Sequence, residues 1–240
     1  MASSRDKLPT GKPANAPAQD VAHFLAKLAS VPTPRKGGER GRLLFGLDAT
    51  ASRQATWDRA CHIQAEMFTA AAQLGGLDIQ LAYYRGFGEF KAAPWLSDSA
   101  TLQRLMGSVS CLGGKTQIGK LLRHALIETK MKRINAVVFI GDAMEEDGDA
   151  LCHQAGELGV LGVPLFMFHE RGEALAAETF KQMATLSGGA YCRFDSSSAD
   201  ALRDLLRAVA VFATGGRAAL EDHSRRQGGG ALLLTRQLKR

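Results

Sequence analysis

The chain lacks any apolar run long enough to cross a membrane. None of its hydrophobic stretches reaches the roughly 18 residues that a bilayer-spanning helix requires. The first residues, Met1 to Lys7, are mostly small, polar or charged, and the apolar core of a secretory signal does not follow them. We therefore expect a cytoplasmic protein without a membrane span.

Cysteine pairs with metal-ligand spacing are also missing. The four cysteines, at positions 61, 111, 152 and 192, are scattered and form no Cys-x-x-Cys motif. Such isolated cysteines in a cytosolic chain are typically reduced and pack as small apolar side chains. We expect this role for them and no zinc site.

A basic stripe is missing from the central part of the chain. The net charge is +6, but residues 1–40 and 215–240 carry +4 each, whereas residues 41–214 carry −2. A nucleic-acid-binding domain normally places its positive charge on the folded surface. This distribution argues against nucleic acid as a partner of the fold and leaves such contacts to the tails.

The sequence that remains predicts one domain with two extensions. Residues 1–40 form an N-terminal extension, rich in Pro, Ala, Lys and Ser up to about residue 18 and typical of disorder there. A short amphipathic helix at about 20–30 follows, and we expect it to pack on the domain. The domain itself spans 41–214, and residues 215–240 form a basic, Gly-containing flexible tail.

Strand and helix patterns alternate through the domain. Apolar or alternating runs predict strands at 43–47, 78–85, 89–93, 136–140, 164–168 and 191–194, and 3.6-residue periodicity predicts helices at 53–74, 99–108, 117–131, 147–159, 174–187 and 198–213. This alternation predicts an α/β, Rossmann-like, doubly wound and mainly parallel six-stranded sheet with helices on both faces. Because only Gly86, Phe87 and Gly88 separate the second and third strands, that pair should be an antiparallel hairpin at the edge.

Five oxygen-bearing side chains fall at one predicted edge of this sheet. Asp48, Thr50 and Ser52 follow the first strand, Thr116 precedes the helix at 117–131, and Asp142 follows the strand at 136–140. Open α/β sheets place their sites beyond the carboxyl ends of the strands, where the strand order reverses. Alternate residues of an extended segment face one side, so the first three can converge. Carboxylate and hydroxyl oxygens suit Mg²⁺ or Mn²⁺.

This pattern resembles the metal-ion-dependent adhesion site of von Willebrand factor A (VWA) domains. The family motif Asp-x-Ser-x-Ser reads Asp48-Ala49-Thr50-Ala51-Ser52 here, with Thr50 keeping the hydroxyl of the commoner Ser. The Gly-Gly-x-Thr-x-x-Gly loop is Gly113 to Gly119, and Asp142 follows a later strand. The resemblance covers about 41–214. It implies a VWA fold, metal ligands at Asp48, Thr50, Ser52, Thr116 and Asp142, and an open coordination position that a partner's Asp or Glu fills.

Two alternatives remain open. The segment Gly141 to Asp147 also resembles the later motif of haloacid-dehalogenase-like phosphatases, in which Asp48 would be a nucleophile and Asp142 and Asp147 would hold Mg²⁺. Against it, the usual second Asp of that family is Thr50. The other alternative is a scaffold that acts through its tails.

Charged residues surround the predicted site. Arg53 and Lys115 flank it and are placed to steer an acidic ligand, although a solvated surface is the simpler interpretation. Glu145, Glu146, Asp147 and Asp149 are interpreted as the acidic first turn of the helix at 147–159. The sequence thus favours a metal-dependent protein-interaction module over an enzyme.

Overall fold

The protein folds around one six-stranded sheet. The computed structural model describes residues 40–57, 77–170, 173–194 and 204–215, together with His23, Ala26, Lys27, Ala219 and Asp222. The strands are β1 (Gly41–Asp48), β2 (Leu77–Arg85), β3 (Glu89–Ala92), β4 (Ala136–Gly141), β5 (Leu165–Glu170) and β6 (Ala190–Phe194). Their order is β3-β2-β1-β4-β5-β6, with β2 and β3 antiparallel and the other pairs parallel. The predicted α/β architecture, including the antiparallel edge hairpin, is confirmed.

Helices connect the strands on both faces of the sheet. They are α1 (Ser99–Ser108), α2 (Ile118–Met131), α3 (Gly148–Val160), α4 (Ala174–Leu186) and a further helix, α5, seen at 204–215. Asp98 and Asp147 cap α1 and α3 by accepting backbone N–H groups of the first turn, which is why these helices begin there. None of the helices in the described ranges combines the length and apolar content needed to span a bilayer.

Three helix predictions need correction or fall partly outside the described residues. The helix predicted at 53–74 begins as a 3₁₀ helix at Ala51–Thr56, and 58–76 lie outside the description. The last helix does not stop before Gly215, which is itself helical. Of the N-terminal helix at 20–30, His23, Ala26 and Lys27 are described and helical, and Ala26 packs against the core as expected.

The core lies on both faces of β1, as its unbroken apolar run predicts. Leu43, Phe45 and Leu47 face the layer formed by α1 and α5, whereas Leu44 faces the layer of α2, α3 and α4. The buried residues of α2 recur at helical spacing, namely Ile118, Leu121, Leu122, Ala125 and Leu126. Cys152 and Cys192 are also buried, and Cys111 is half-buried, while Cys61 lies outside the described residues.

The strand order reverses between β1 and β4. The chain leaves β1 toward β2 on one side and returns to β4 on the other, and Leu47 pairs with Ile140 in parallel register. The carboxyl ends of these strands therefore lie side by side. Asp48 is the last residue of β1 and Asp142 follows β4, so the topology brings both carboxylates to the crevice that open α/β sheets use for binding.

Candidate metal centre

Asp48 is the buried base of the candidate site. One carboxylate oxygen, Oδ1, accepts the backbone N–H of Thr50 at 2.8 Å, and the other, Oδ2, accepts the hydroxyl of Tyr84 at 3.1 Å. Asp48 has no exposed surface. Burial raises the pKa of this carboxyl above its usual value, and the hydrogen bonds from Thr50 and the charge of Arg53 partly offset that rise.

A chain of side-chain oxygens leads from the end of β1 to the end of β4. The hydroxyl oxygens of Thr50 and Ser52 lie 3.0 Å apart, and the Ser52 hydroxyl donates to Asp142 Oδ1 at 3.1 Å. Thr50 and Asp142 are largely buried, while Ser52 is exposed. The alternate positions of the motif thus converge, although the segment turns into a 3₁₀ helix at Ala51 instead of staying extended.

Thr116 is fixed to the segment that follows Asp142. Its backbone N–H donates to Glu145 Oε2 at 3.0 Å, and its hydroxyl oxygen accepts the backbone N–H of Glu145 at 2.9 Å. This reciprocal pair holds the loop before α2 against the loop after β4. Thr116 is therefore not the cap of α2, whose N-cap is Gln117.

Glu146 supplies the cap that α2 lacks in its own sequence. Its carboxylate accepts the backbone N–H groups of Ile118 at 2.6 Å and Gly119 at 2.8 Å. The expectation that Glu145 and Glu146 belong to the first turn of the next helix is wrong, since α3 begins at Gly148 after Asp147. Glu145 instead binds the Thr116 loop, and Glu146 binds the first turn of α2, where negative charge also stabilises the helix N-terminus.

The β2–β3 hairpin tip is bonded to the same loop. The carbonyl of Gly86 accepts the Lys115 N–H at 3.1 Å and the Gln117 side-chain amide at 3.1 Å. Gly86 has a positive φ of 60°, and a Cβ on Gly114 would lie 2.0 Å from the Gly86 oxygen. Glycine at both positions therefore lets hairpin and loop meet.

Arg53 lies beneath the site instead of on its rim. The side chain has no exposed surface, its Nε donates to Glu170 Oε2 at 2.9 Å, and its Nη1 donates to the backbone oxygen of Asp48 at 2.7 Å. Both interpretations of Arg53, as a surface residue that steers a ligand and as part of a solvated surface, are therefore wrong. Its guanidinium ties the start of the 3₁₀ helix to β5 and to the end of β1.

His169 supports the Asp142 segment from β5. One ring nitrogen, Nε2, lies 3.1 Å from the backbone oxygen of Asp142, and Nδ1 lies 3.0 Å from the Tyr191 hydroxyl. Burial lowers the pKa of His169, which favours the neutral ring. A neutral imidazole with its Nε2 proton directed at Asp142 fits both contacts.

The donor chemistry of the site fits a hard divalent cation. It contains two carboxylates and three hydroxyls, and within the described ranges no three His, Cys, Asp or Glu side chains come together as a metal-binding group. Oxygen donors with few charges suit Mg²⁺ or Mn²⁺, which retain water ligands, more than the nitrogen and sulfur sets of structural zinc. The structure brings Asp48, Thr50, Ser52 and Asp142 into one hydrogen-bonded group, and joins Thr116 to it through the 142–145 segment.

Sequence reasoning missed Tyr84, Glu145 and Glu146 as parts of the site. Tyr84 pairs with Asp48 in the parallel register of β1 and β2, so a correct register would have indicated it. The sequence contained a weaker indication of the roles of Glu145 and Glu146. The first turn of α2 contains no acidic residue, and Gln117 makes no capping bond, so a helix without its own cap indicated an acid from elsewhere.

Comparison with known proteins supports the fold. No protein-family model and no curated protein sequence matches the chain. Among solved structures, the VWA domain of SpRpn10 is similar, with a TM-score of 0.56 at 13% identity, over 70% of this chain and 94% of that chain.

Two larger proteins contain a similar fold. Proximal thread matrix protein 1 from the mussel byssus, solved with a zinc-occupied MIDAS motif, has a TM-score of 0.56 at 16% identity, over 76% of this chain and 46% of that chain. The pilus adhesin SpaC of Lactobacillus rhamnosus GG has a TM-score of 0.60 at 10% identity, over 79% of this chain and 31% of that chain. At these identities the likeness concerns the fold, and the fold of this chain is VWA-like.

Proposed function

We propose that the chain is an intracellular protein-recognition module that binds Mg²⁺ or Mn²⁺ and, through it, an exposed Asp or Glu of a partner protein. Asp48, Thr50, Ser52, Thr116 and Asp142 would hold the cation. The observation that carries the proposal is the run of oxygens from Thr50 through Ser52 to Asp142, above the buried Asp48, at the reversal of strand order.

The composition of this set supports ligand capture. Three of the five proposed donors are neutral hydroxyls, so the bound cation would stay electrophilic and would attract an incoming carboxylate. Ser52 is exposed at this edge, which leaves one side of the site open to a partner. The occurrence of similar folds in a pilus adhesin and in a matrix protein with a zinc-occupied MIDAS motif agrees with this role.

The phosphatase alternative is less well supported by the geometry. A nucleophilic carboxylate must reach its substrate, but Asp48 has no exposed surface and both of its oxygens accept hydrogen bonds. Asp147, the second metal ligand of that scheme, caps α3 by accepting the Asp149 N–H at 3.1 Å. Absence of metal-dependent hydrolysis of a generic phosphate monoester, in wild type and in Asp48→Asn alike, is the expected result.

The metal site is tested by calorimetric titration of Mn²⁺ and Mg²⁺ into the full chain. Thr116→Ala and Asp142→Ala each remove one donor and should weaken binding at least about tenfold. Thr185→Ala is the matched control, because Thr185 is exposed and its hydroxyl donates to the Lys181 carbonyl within α4. Equal affinity in all four proteins would contradict the proposal.

Partner recognition is tested by capture from a cell extract with Mg²⁺ or with EDTA. Proteins retained by the wild type should be released by EDTA and should not bind the Asp142→Ala variant. Retention that is unaffected by both changes but is lost when residues 215–240 are removed would instead support the scaffold alternative.

A further inference from the structure

Two large apolar side chains are exposed beside the candidate metal centre. Phe87, at the tip of the β2–β3 hairpin, is 84% exposed, and Leu112, in the loop that leads to Thr116, is 50% exposed. Because β2 runs parallel to β1, the hairpin tip lies at the same edge of the sheet as Asp48. Both side chains therefore belong to the face that carries the site.

Leu112 is fixed directly to the metal-site motif. Its backbone N–H donates to the Ala49 carbonyl at 3.0 Å, and it forms an isolated parallel bridge with Thr50. On its other side, its carbonyl accepts the Gly86 N–H at 3.5 Å, and its side chain lies 3.2 Å from the position a Cβ on Gly86 would take. Leu112 thus lies between the motif and the residue that precedes Phe87.

Hydrogen bonds of the neighbouring Gly86 fix the backbone position of Phe87. Gly86 is bonded to Leu112, Lys115 and Gln117, and these contacts fix the tip against the loop that carries Thr116. An exposed phenyl ring on a fixed tip keeps its apolar surface in water unless a partner covers it. Exposed aromatic side chains next to a polar site are typical of protein interfaces.

We infer that Phe87 and Leu112 form an apolar subsite for the residue next to the partner's metal-binding carboxylate. This inference rests on the proposed function and deepens it. The partner segment carries an Asp or Glu followed or preceded by a bulky aliphatic or aromatic side chain. Charge complementarity favours the same occupant, because Lys115 is exposed between Leu112 and Thr116 and attracts an acidic segment, whereas the carboxylate of the nearby Glu145 already accepts the Thr116 N–H.

The test is selection from a displayed peptide library that has a fixed central Asp and random flanking positions, with Mg²⁺ present. Wild-type protein should select aromatic and aliphatic residues beside the Asp, and a matched library with a central Asn should yield no Mg²⁺-dependent binders. Selected peptides should bind Phe87→Ala at least about tenfold more weakly than the wild type.

Val160→Ala is the matched control variant. Val160 is 89% exposed, but it lies at the end of α3, far from the edge that carries Asp142. Its affinity for the selected peptides should equal that of the wild type, and Phe87→Ala should bind Mn²⁺ as the wild type does.

Three results would overturn the inference in distinguishable ways. Mg²⁺-dependent peptides with no apolar preference beside the Asp would remove the subsite and leave the proposed function standing. Apolar peptides that bind equally in EDTA would show that the apolar surface binds its ligand independently of the metal. A library that yields no cation-dependent binder at all would remove both the subsite and the proposed function.

Discussion

Arg53 is a charged side chain with no exposed surface, and its position depends on two contacts far apart in the chain. Its Nε bonds to Glu170, which is also buried, and its Nη1 bonds to the carbonyl of Asp48. A buried charge is costly unless it is paired and hydrogen-bonded. The ion pair therefore stabilises the placement of the 3₁₀ helix that carries Ser52.

Removing the Glu170 carboxylate should destabilise the protein strongly. In Glu170→Ala the Arg53 charge stays buried without this partner, and we expect the free energy of unfolding to fall by about 3–5 kcal/mol. Denaturant unfolding measures this change. The control is Glu178→Ala, whose carboxylate pairs with Lys181 at 2.8 Å but whose side chain is 77% exposed, and it should change stability by less than about 1 kcal/mol. Equal effects of the two substitutions would contradict the prediction.

The burial of Arg53 was hard to predict from its residue type. Arg53 follows Ser52 directly and its type is usually exposed, so its position beside the motif indicated a surface role. Its true partner is 117 residues away. No local pattern in the sequence reports such a distance.

At the scale of elements, the hairpin tip and the Thr116 loop act as one unit. A Cβ on Gly114 would lie 2.0 Å from the Gly86 oxygen, whereas a Cβ on the neighbouring Gly113 would meet nothing within 4 Å. The loop and the β2–β3 tip can approach this closely only with glycine at 114. Thr116 depends on that approach for its position.

Gly114→Ala should therefore disturb the candidate site, and Gly113→Ala should not. The added methyl group must push the loop from the hairpin, so we expect a loss of about 1–3 kcal/mol in stability and a weaker affinity for Mn²⁺. Thermal unfolding and calorimetric titration of both variants test this. If Gly113→Ala lowered the stability and the Mn²⁺ affinity as much as Gly114→Ala, the contact with Gly86 would not be the cause of the loss.

The elements themselves were largely predictable. The six strands and the helices α1 to α4 follow from periodicity, and their observed bounds differ from the predicted ones by at most two residues. The identity of the residue that caps α2 was not predictable, because Glu146 reaches it from 27 residues further along the chain. Periodicity reports which face of a helix is buried, but not which distant side chain satisfies its first N–H groups.

At the scale of the whole molecule, the candidate site joins the two halves of the sheet. Asp48 and Ser52 come from the β1 side and Asp142 from the β4 side, and Ser52 bonds directly to Asp142. A cation held by both sides binds the folded chain and has no such site in the unfolded chain. Metal binding and folding stability should therefore be coupled.

Mg²⁺ should stabilise the protein by an amount set by its dissociation constant. At a concentration about 100 times that constant, we expect the free energy of unfolding to rise by about 2.7 kcal/mol and to return to its starting value with EDTA. Asp142→Ala should show almost no response at the same concentration. An equal rise in that variant would mean that Mg²⁺ acts elsewhere on the chain.

The amino-acid sequence by itself determined the alternation of strands and helices, the antiparallel edge hairpin and the positions of Asp48, Thr50, Ser52 and Asp142 at or just beyond two strand ends. These properties are local, since hydrophobic periodicity and short connections act over a few neighbouring residues. Only the tertiary structure decided that Tyr84 bonds to Asp48, that Glu145 holds Thr116 and Glu146 caps α2, and that Arg53 is buried. Those contacts join residues from 27 to 117 positions apart. The chain contains many residues of the same types, and only the packing of the folded chain decides which of them come into contact.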